Sequence, residues 1–141
     1  ADFEFNAYFE YYIPKSYISD DISRLIIYRK LTNAKDPSEI KDIIYEMCDR
    51  YGDYSYEVAN LINLLQIKIK SINLGIIKIN IQKNIIDLTF LNVSEKLSLT
   101  LLDMVQEKFI KMKSPNTIQI KNSSNEDLFY SINLFYKKLG L

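Results

Sequence analysis

Histidine and tryptophan are absent from this 141-residue chain, and cysteine, glycine and proline are scarce, at one, three and three. The missing histidine removes the commonest general base at neutral pH. It also excludes Ser-His-Asp and Cys-His nucleophile systems. A single cysteine, Cys48, allows neither an internal disulfide nor a cysteine-rich zinc site. A reducing, cytoplasmic setting is therefore expected. The glycines, Gly52, Gly75 and Gly140, belong to no phosphate-cradling loop, so no nucleotide cofactor is expected and no metal set is implied. No run of 18 apolar residues occurs, and nothing is expected to cross a membrane. The opening ADFEFNAYFEYY has no basic region leading into an apolar core, unlike a signal peptide. Its first residue is alanine, which fits a fragment cut from a longer protein as well as a residue left by an expression vector.

The 18 basic and 18 acidic side chains cancel. That balance argues against a dedicated nucleic-acid binder and against a polybasic membrane anchor. Hydrophobic residues make up 48% of the chain, enough for one domain with its own core.

Residues 3–13 alternate, with Phe3, Phe5, Ala7, Phe9, Tyr11 and Ile13 on one side, the period of a strand. Pro14 ends it. Ser19 or Asp20 can cap a helix to about Asn33, with Ile22, Leu25, Ile26 and Leu31 expected inward. DPSEI, from Asp36, is a strong helix start, with proline at the first helical position and Glu39 placed as in a capping box. That helix should end at Gly52, with positions 40, 43, 44, 47, 48 and 51 as its core stripe. Cys48 is thus expected to pack rather than react.

Ser55 can cap a third helix ending at Gly75, with Val58, Leu61, Ile62, Leu65, Ile69 and Ile72 inward. GIIKINI and NIIDLTFL, separated by Gln82, Lys83 and Asn84, suit a β-hairpin. A helix is expected near 98–112, burying Leu101, Leu102, Val105, Phe109 and Met112. TIQIK, 117–121, reads as a strand. Asn125 caps a last helix through Leu128, Ile132, Phe135, Tyr136 and Leu139. The order β-α-α-α-β-β-α-β-α indicates an α+β fold, a small sheet covered by helices.

Charge is distributed unevenly. Residues 36–57 hold seven acids and two bases; residues 66–86 hold Lys68, Lys70, Lys78 and Lys83 and no acid. On the 36–51 helix, Asp42, Glu46 and Asp49 are spaced i, i+4, i+7 and share a face opposite the stripe. Like charges at that spacing destabilise an isolated helix by a few tenths of a kcal/mol. The face is tolerable if solvated and useful if it meets a basic partner. The lysine segment could bind phosphate. Tyr8, Tyr11, Tyr12 and Tyr17 cluster near the start, where packing is the main expectation and an interface the alternative. Carboxylates are plentiful, but spacing assigns no acid–base pair.

Two stretches go further. YYIPKSYISDDISRLIIYRKL, 11–31, and YEMCDRYGDYSYEVANLINLLQIKIKSINLGIIKI, 45–79, resemble the C-terminal domain of bacterial transcription-repair coupling factors, the Mfd family. The matching positions include Ile13-Pro14, Tyr17-Ile18, Arg24-Leu25, Tyr28-Arg29 and Leu31. Further on they include Glu46, Asp49-Arg50, Gly52, Val58, Asn60-Leu61 and Leu74-Gly75-Ile76. Lys15 and Ser16 depart from the usual two aspartates, Ser19 from a proline, and Asp53-Tyr54-Ser55 from Pro-Leu-Pro.

The resemblance implies a single regulatory C-terminal domain over residues 1–141, part of a larger ATP-dependent DNA translocase whose ATPase motifs lie elsewhere. It implies no enzymatic activity here and no cofactor. In that family the domain packs on the N-terminal UvrA-binding module, hides it and restrains the motor until stalled RNA polymerase is engaged. The contact is polar. Glu46 and Asp49 carry over as interaction residues, and Asp42 and Arg50 join them from the helix face. UvrA, RNA polymerase and DNA are the implied partners of the whole protein. Two other readings remain: an accessory nucleic-acid domain using Lys68, Lys70, Lys78 and Lys83, and a small-molecule enzyme built on paired carboxylates.

Overall fold

A computed structural model describes residues 2–123 and 126–141. The elements are β1 (Glu4–Ala7), α1 (Asp21–Asn33), α2 (Pro37–Tyr51), α3 (Tyr56–Asn73), β2 (Ile76–Ile81), β3 (Ile85–Phe90), α4 (Glu95–Gln106), β4 (Ile110–Ser114), β5 (Thr117–Lys121) and α5 (Tyr130–Lys138). The fold is α+β, in the order read from the sequence, with β4 added before β5. The expected cap at Asn125 lies outside the described residues. The chain forms two compact units. Phe9–Ile69 make a helical one, and the N-terminal strand together with Lys70–Leu141 makes the other.

The helical unit buries one cluster that includes Ile13, Ile18, Ile27, Leu31, Ile40, Met47, Val58 and Leu61. Asp20 caps α1, its carboxylate accepting from the Ser23 amide at 2.8 Å. α1 does not present the stripe expected of it. Ile22, Leu25 and Ile26 are 69%, 54% and 48% exposed, and the inward row is Arg24, Ile27, Tyr28 and Leu31. Two polar members of that row make buried-side bonds. Arg24 donates to the Ile18 carbonyl at 2.8 Å, and the Tyr28 hydroxyl accepts from the buried Ile13 amide at 2.5 Å. Asn60 of α3 is likewise buried, its amide donating to the Glu10 carbonyl at 2.9 Å.

The other unit is a five-stranded mixed sheet, ordered β1-β2-β3-β5-β4. β1 is shorter than its alternation suggested. It pairs in parallel with β2, from Glu4 opposite Lys78 to Ala7 opposite Ile81, and β2 stops there to turn. The Tyr8 amide extends the pairing, donating to the Ile81 carbonyl at 3.1 Å. Alternation of exposure continues past the paired residues to Ile13. β2 and β3 form the expected hairpin, closed by the Gln82 amide on the Ile85 carbonyl at 2.8 Å. One sheet face buries Ile79, Ile81, Ile86, Leu88, Ile118 and Ile120, and α4 and α5 supply buried Leu101, Met104, Ile132 and Phe135.

α4 starts and ends earlier than expected. Ser94 caps it, accepting from the Leu97 amide at 3.1 Å. Lys108 leaves it in the left-handed region at φ 62, and the Phe109 amide bonds back to the Met104 carbonyl at 2.9 Å. This is a Schellman ending with lysine where glycine is usual. Leu97, Leu101 and Met104 face in; Leu102 and Met112 are exposed, and Ile72 of α3 is exposed too.

Tyr136 is fully buried, with its hydroxyl hydrogen-bonded to that of Ser71. Burial pushes its titration from 10.0 to about 12, despite the Ser71 bond acting the other way. Tyr17 is also raised to about 12, first by desolvation and then by charge at Cys48. Both phenols hold their protons more tightly folded than unfolded. Their stabilisation is complete below pH 10 and is lost as pH rises towards 12. For buried Tyr136 the loss is on the order of 2 kcal/mol. Denaturation at pH 9 and at pH 11.5 should show that fall, and Tyr17→Phe should make it shallower.

Candidate protein-interaction surface

α2 begins where the sequence places it. The Asp36 carboxylate accepts from the Glu39 amide at 3.0 Å and the Ser38 hydroxyl at 2.5 Å. These bonds, Ser38 first, hold its titration below the usual carboxylate range; the Ser23 amide and hydroxyl do the same for Asp20. The Glu39 carboxylate reaches back to the Lys35 amide at 2.8 Å. At the other end Gly52 has φ 82 and ψ −163, a region open essentially to glycine alone. The Tyr17 hydroxyl donates to the Gly52 carbonyl at 2.7 Å and lies 3.3 Å from that of Met47. Ile40 and Met47 are buried and Ile43, Ile44, Cys48 and Tyr51 half-buried, so the stripe faces in as its spacing required.

The opposite side of α2 carries the acids. Asp42 and Asp49 are exposed, and among the described residues neither is in a salt bridge. Glu46 is different. Its carboxylate holds the Lys30 ammonium of α1 at 3.1 Å and faces the Arg50 guanidinium at 3.8 Å. Arg50 in turn sits 5.2 Å from the centre of the Tyr51 ring. Glu46 therefore ties α1 to α2 as well as contributing charge. Such partly solvated pairs are each worth about 0–1 kcal/mol.

One residue of this surface went unread in the sequence. Tyr45 is 72% exposed, and its position falls with Asp42, Glu46 and Asp49 in one i, i+3, i+4, i+7 row. Its place off the apolar stripe was the available signal. An exposed tyrosine among carboxylates suits an arginine or lysine, which can stack on the ring and pair with an acid.

The lysines proposed for nucleic acid fall on three elements. Lys68 and Lys70 are half-buried on α3, with the Lys70 ammonium 5.8 Å from the Tyr136 ring centre. Lys78 is exposed in β2 and Lys83 in the hairpin turn. Of the N-terminal tyrosines, Tyr8 and Tyr12 are exposed, whereas Tyr11 and Tyr17 pack on the helical core. Among the described residues no cluster of three acids or cysteines could hold a metal ion. No described helix is long and apolar enough to cross a membrane.

A TRCF domain family model matches residues 8–100. The chain belongs to the TRCF domain family. Transcription-repair-coupling factor of Staphylococcus aureus strain USA300 is 36% identical over 77 residues, 55% of this chain. That of Staphylococcus epidermidis is 29% identical over 75 residues, 53% of this chain. The chain spans 7% and 6% of the length of these two proteins. A crystal structure of the C-terminal domain of transcription-repair coupling factor superposes with a TM-score of 0.75 at 19% identity. The alignment covers 99% of this chain and 96% of that one, so the two share a fold throughout.

Within this TRCF domain most motif residues are structural. Tyr17, Arg24, Tyr28 and Asn60 each bond a backbone group at least 6 residues away in the chain. Gly52 and Gly75 occupy left-handed backbone. Of the motif's charged positions on α2, Asp49 alone is exposed and outside every salt bridge among the described residues.

Proposed function

We propose that this TRCF domain is a non-enzymatic regulatory module of a cytoplasmic transcription-repair coupling factor. It docks through the outer face of α2 on a basic surface of the same polypeptide. Following the resemblance, that surface is the N-terminal UvrA-binding module. Docking hides the module from UvrA and restrains the DNA translocase until stalled RNA polymerase is engaged. The observation that supports this reading is the row of Asp42, Tyr45 and Asp49, exposed on one side of α2 beside the Glu46–Lys30 bridge. Rim contacts of this kind add little individually, which suits a clamp that must open.

The test uses the full-length parent protein carrying Asp42→Lys and Asp49→Lys. UvrA capture and ATP turnover without polymerase should both rise several-fold. Unchanged capture and turnover, in a protein that folds normally, would contradict masking by this face.

A further inference from the structure

The sheet leaves β4 as a terminal strand, paired on one side with β5. A groove of about 500 Å³ runs from this strand across Gln119 and Lys121 of β5 to Ile85 of β3. Val105, Phe109, Ile110 and Met112 give the groove an apolar wall, with Met112 49% exposed. Lys108, Lys111 and Lys121 supply three ammonium groups to the same lining, and no carboxylate contributes to it among the described residues. Nor is any of these three lysines in a salt bridge among the described residues. The neighbouring Lys113 is turned over the sheet onto Asp87 at 2.7 Å, and Lys138 is drawn to the Phe109 ring at 4.8 Å and to Glu107 at 3.9 Å.

Lysines on an edge strand ordinarily prevent two copies of a protein from pairing there, because like charges meet. The same lysines attract a strand of opposite charge. A free edge supplies unpaired backbone groups, and alternate side chains of an added strand fall on one face about 6.8 Å apart. We propose that the β4 edge accepts an extended acidic peptide from a partner protein, its carboxylates on Lys108, Lys111 and Lys121 and an apolar side chain against Met112 and Phe109. A second copy of β4 is excluded as the occupant by its own lysines.

The probe is a fluorescein-labelled heptapeptide of alternating glutamate and valine, followed by anisotropy on the whole chain at low salt. The control replaces each glutamate by lysine. Saturable binding of the glutamate peptide is expected, with Kd at least tenfold higher in a Lys111→Glu, Lys121→Glu variant of unchanged melting temperature. Hydrogen exchange at the β4 amides that point away from β5 should slow at least fivefold when the peptide is bound. No binding, equal binding of the lysine peptide, or binding that leaves β4 exchange unchanged would each overturn the proposal.

Discussion

Gly75→Ala should be the most damaging small substitution in this chain. Gly75 has φ +81, and a Cβ there would stand 2.4 Å from the Asn92 carbonyl oxygen. That oxygen is backbone and cannot swing away as a side chain could. The Gly75 carbonyl also accepts from the Leu91 amide at 2.8 Å, so the two segments are already drawn together. Left-handed strain contributes about 1–2 kcal/mol for alanine. Forcing the segments apart adds roughly 1–3 kcal/mol. The expected loss is about 3 kcal/mol, a large share of the 5–15 kcal/mol typical of a folded domain. Gly52→Ala isolates the first effect, since nothing lies within 4 Å of its added Cβ at φ +82. It should lose about 1–2 kcal/mol, the strain alone. Urea denaturation of both variants checks the ranking. Equal losses would mean that the approach of Asn92 relaxes freely.

The second large effect is on binding. Reversing Asp42 and Asp49 together should weaken docking on a basic surface by about 2 kcal/mol or more, roughly 30-fold in affinity. The pair is chosen because both carboxylates lie free of salt bridges among the described residues. Glu46→Lys would confound the result, since it places a like charge against Lys30 and Arg50 and disturbs the join of α1 to α2. Tyr45→Ala, at a 72% exposed site, should weaken docking while leaving stability within about 0.5 kcal/mol.

The elements were legible in the sequence because caps and periods agree. Asp36, Pro37 and Gly52 bracket α2, and its stripe from Ile40 to Tyr51 points in as spaced. The β2–β3 hairpin and β5 were equally plain. α1 was not, because hydropathy ranks Ile22, Leu25 and Ile26 above Arg24 and Tyr28. The helix buries the latter side because both polar groups find backbone partners there. β4 was hidden in an expected helix. Its Ile-Lys-Met-Lys alternation has period two, but only the left-handed turn at Lys108 stops α4 before it. On the candidate site, spacing placed Asp42, Glu46 and Asp49 on one face. Spacing could not reveal that Glu46 bonds across to Lys30, a partner 16 residues away.

The most direct measurement is calorimetric titration of this domain with the N-terminal UvrA-binding module of its parent protein, at 50 and 300 mM salt. Weak binding is expected that fades at the higher salt, where charges more than about 6 Å apart are screened. Asp42→Lys, Asp49→Lys should abolish detectable heat while α2 and the Tyr17–Gly52 bond at its end stay folded. Binding that survives both the salt and the charge reversal would contradict a docking role for this face.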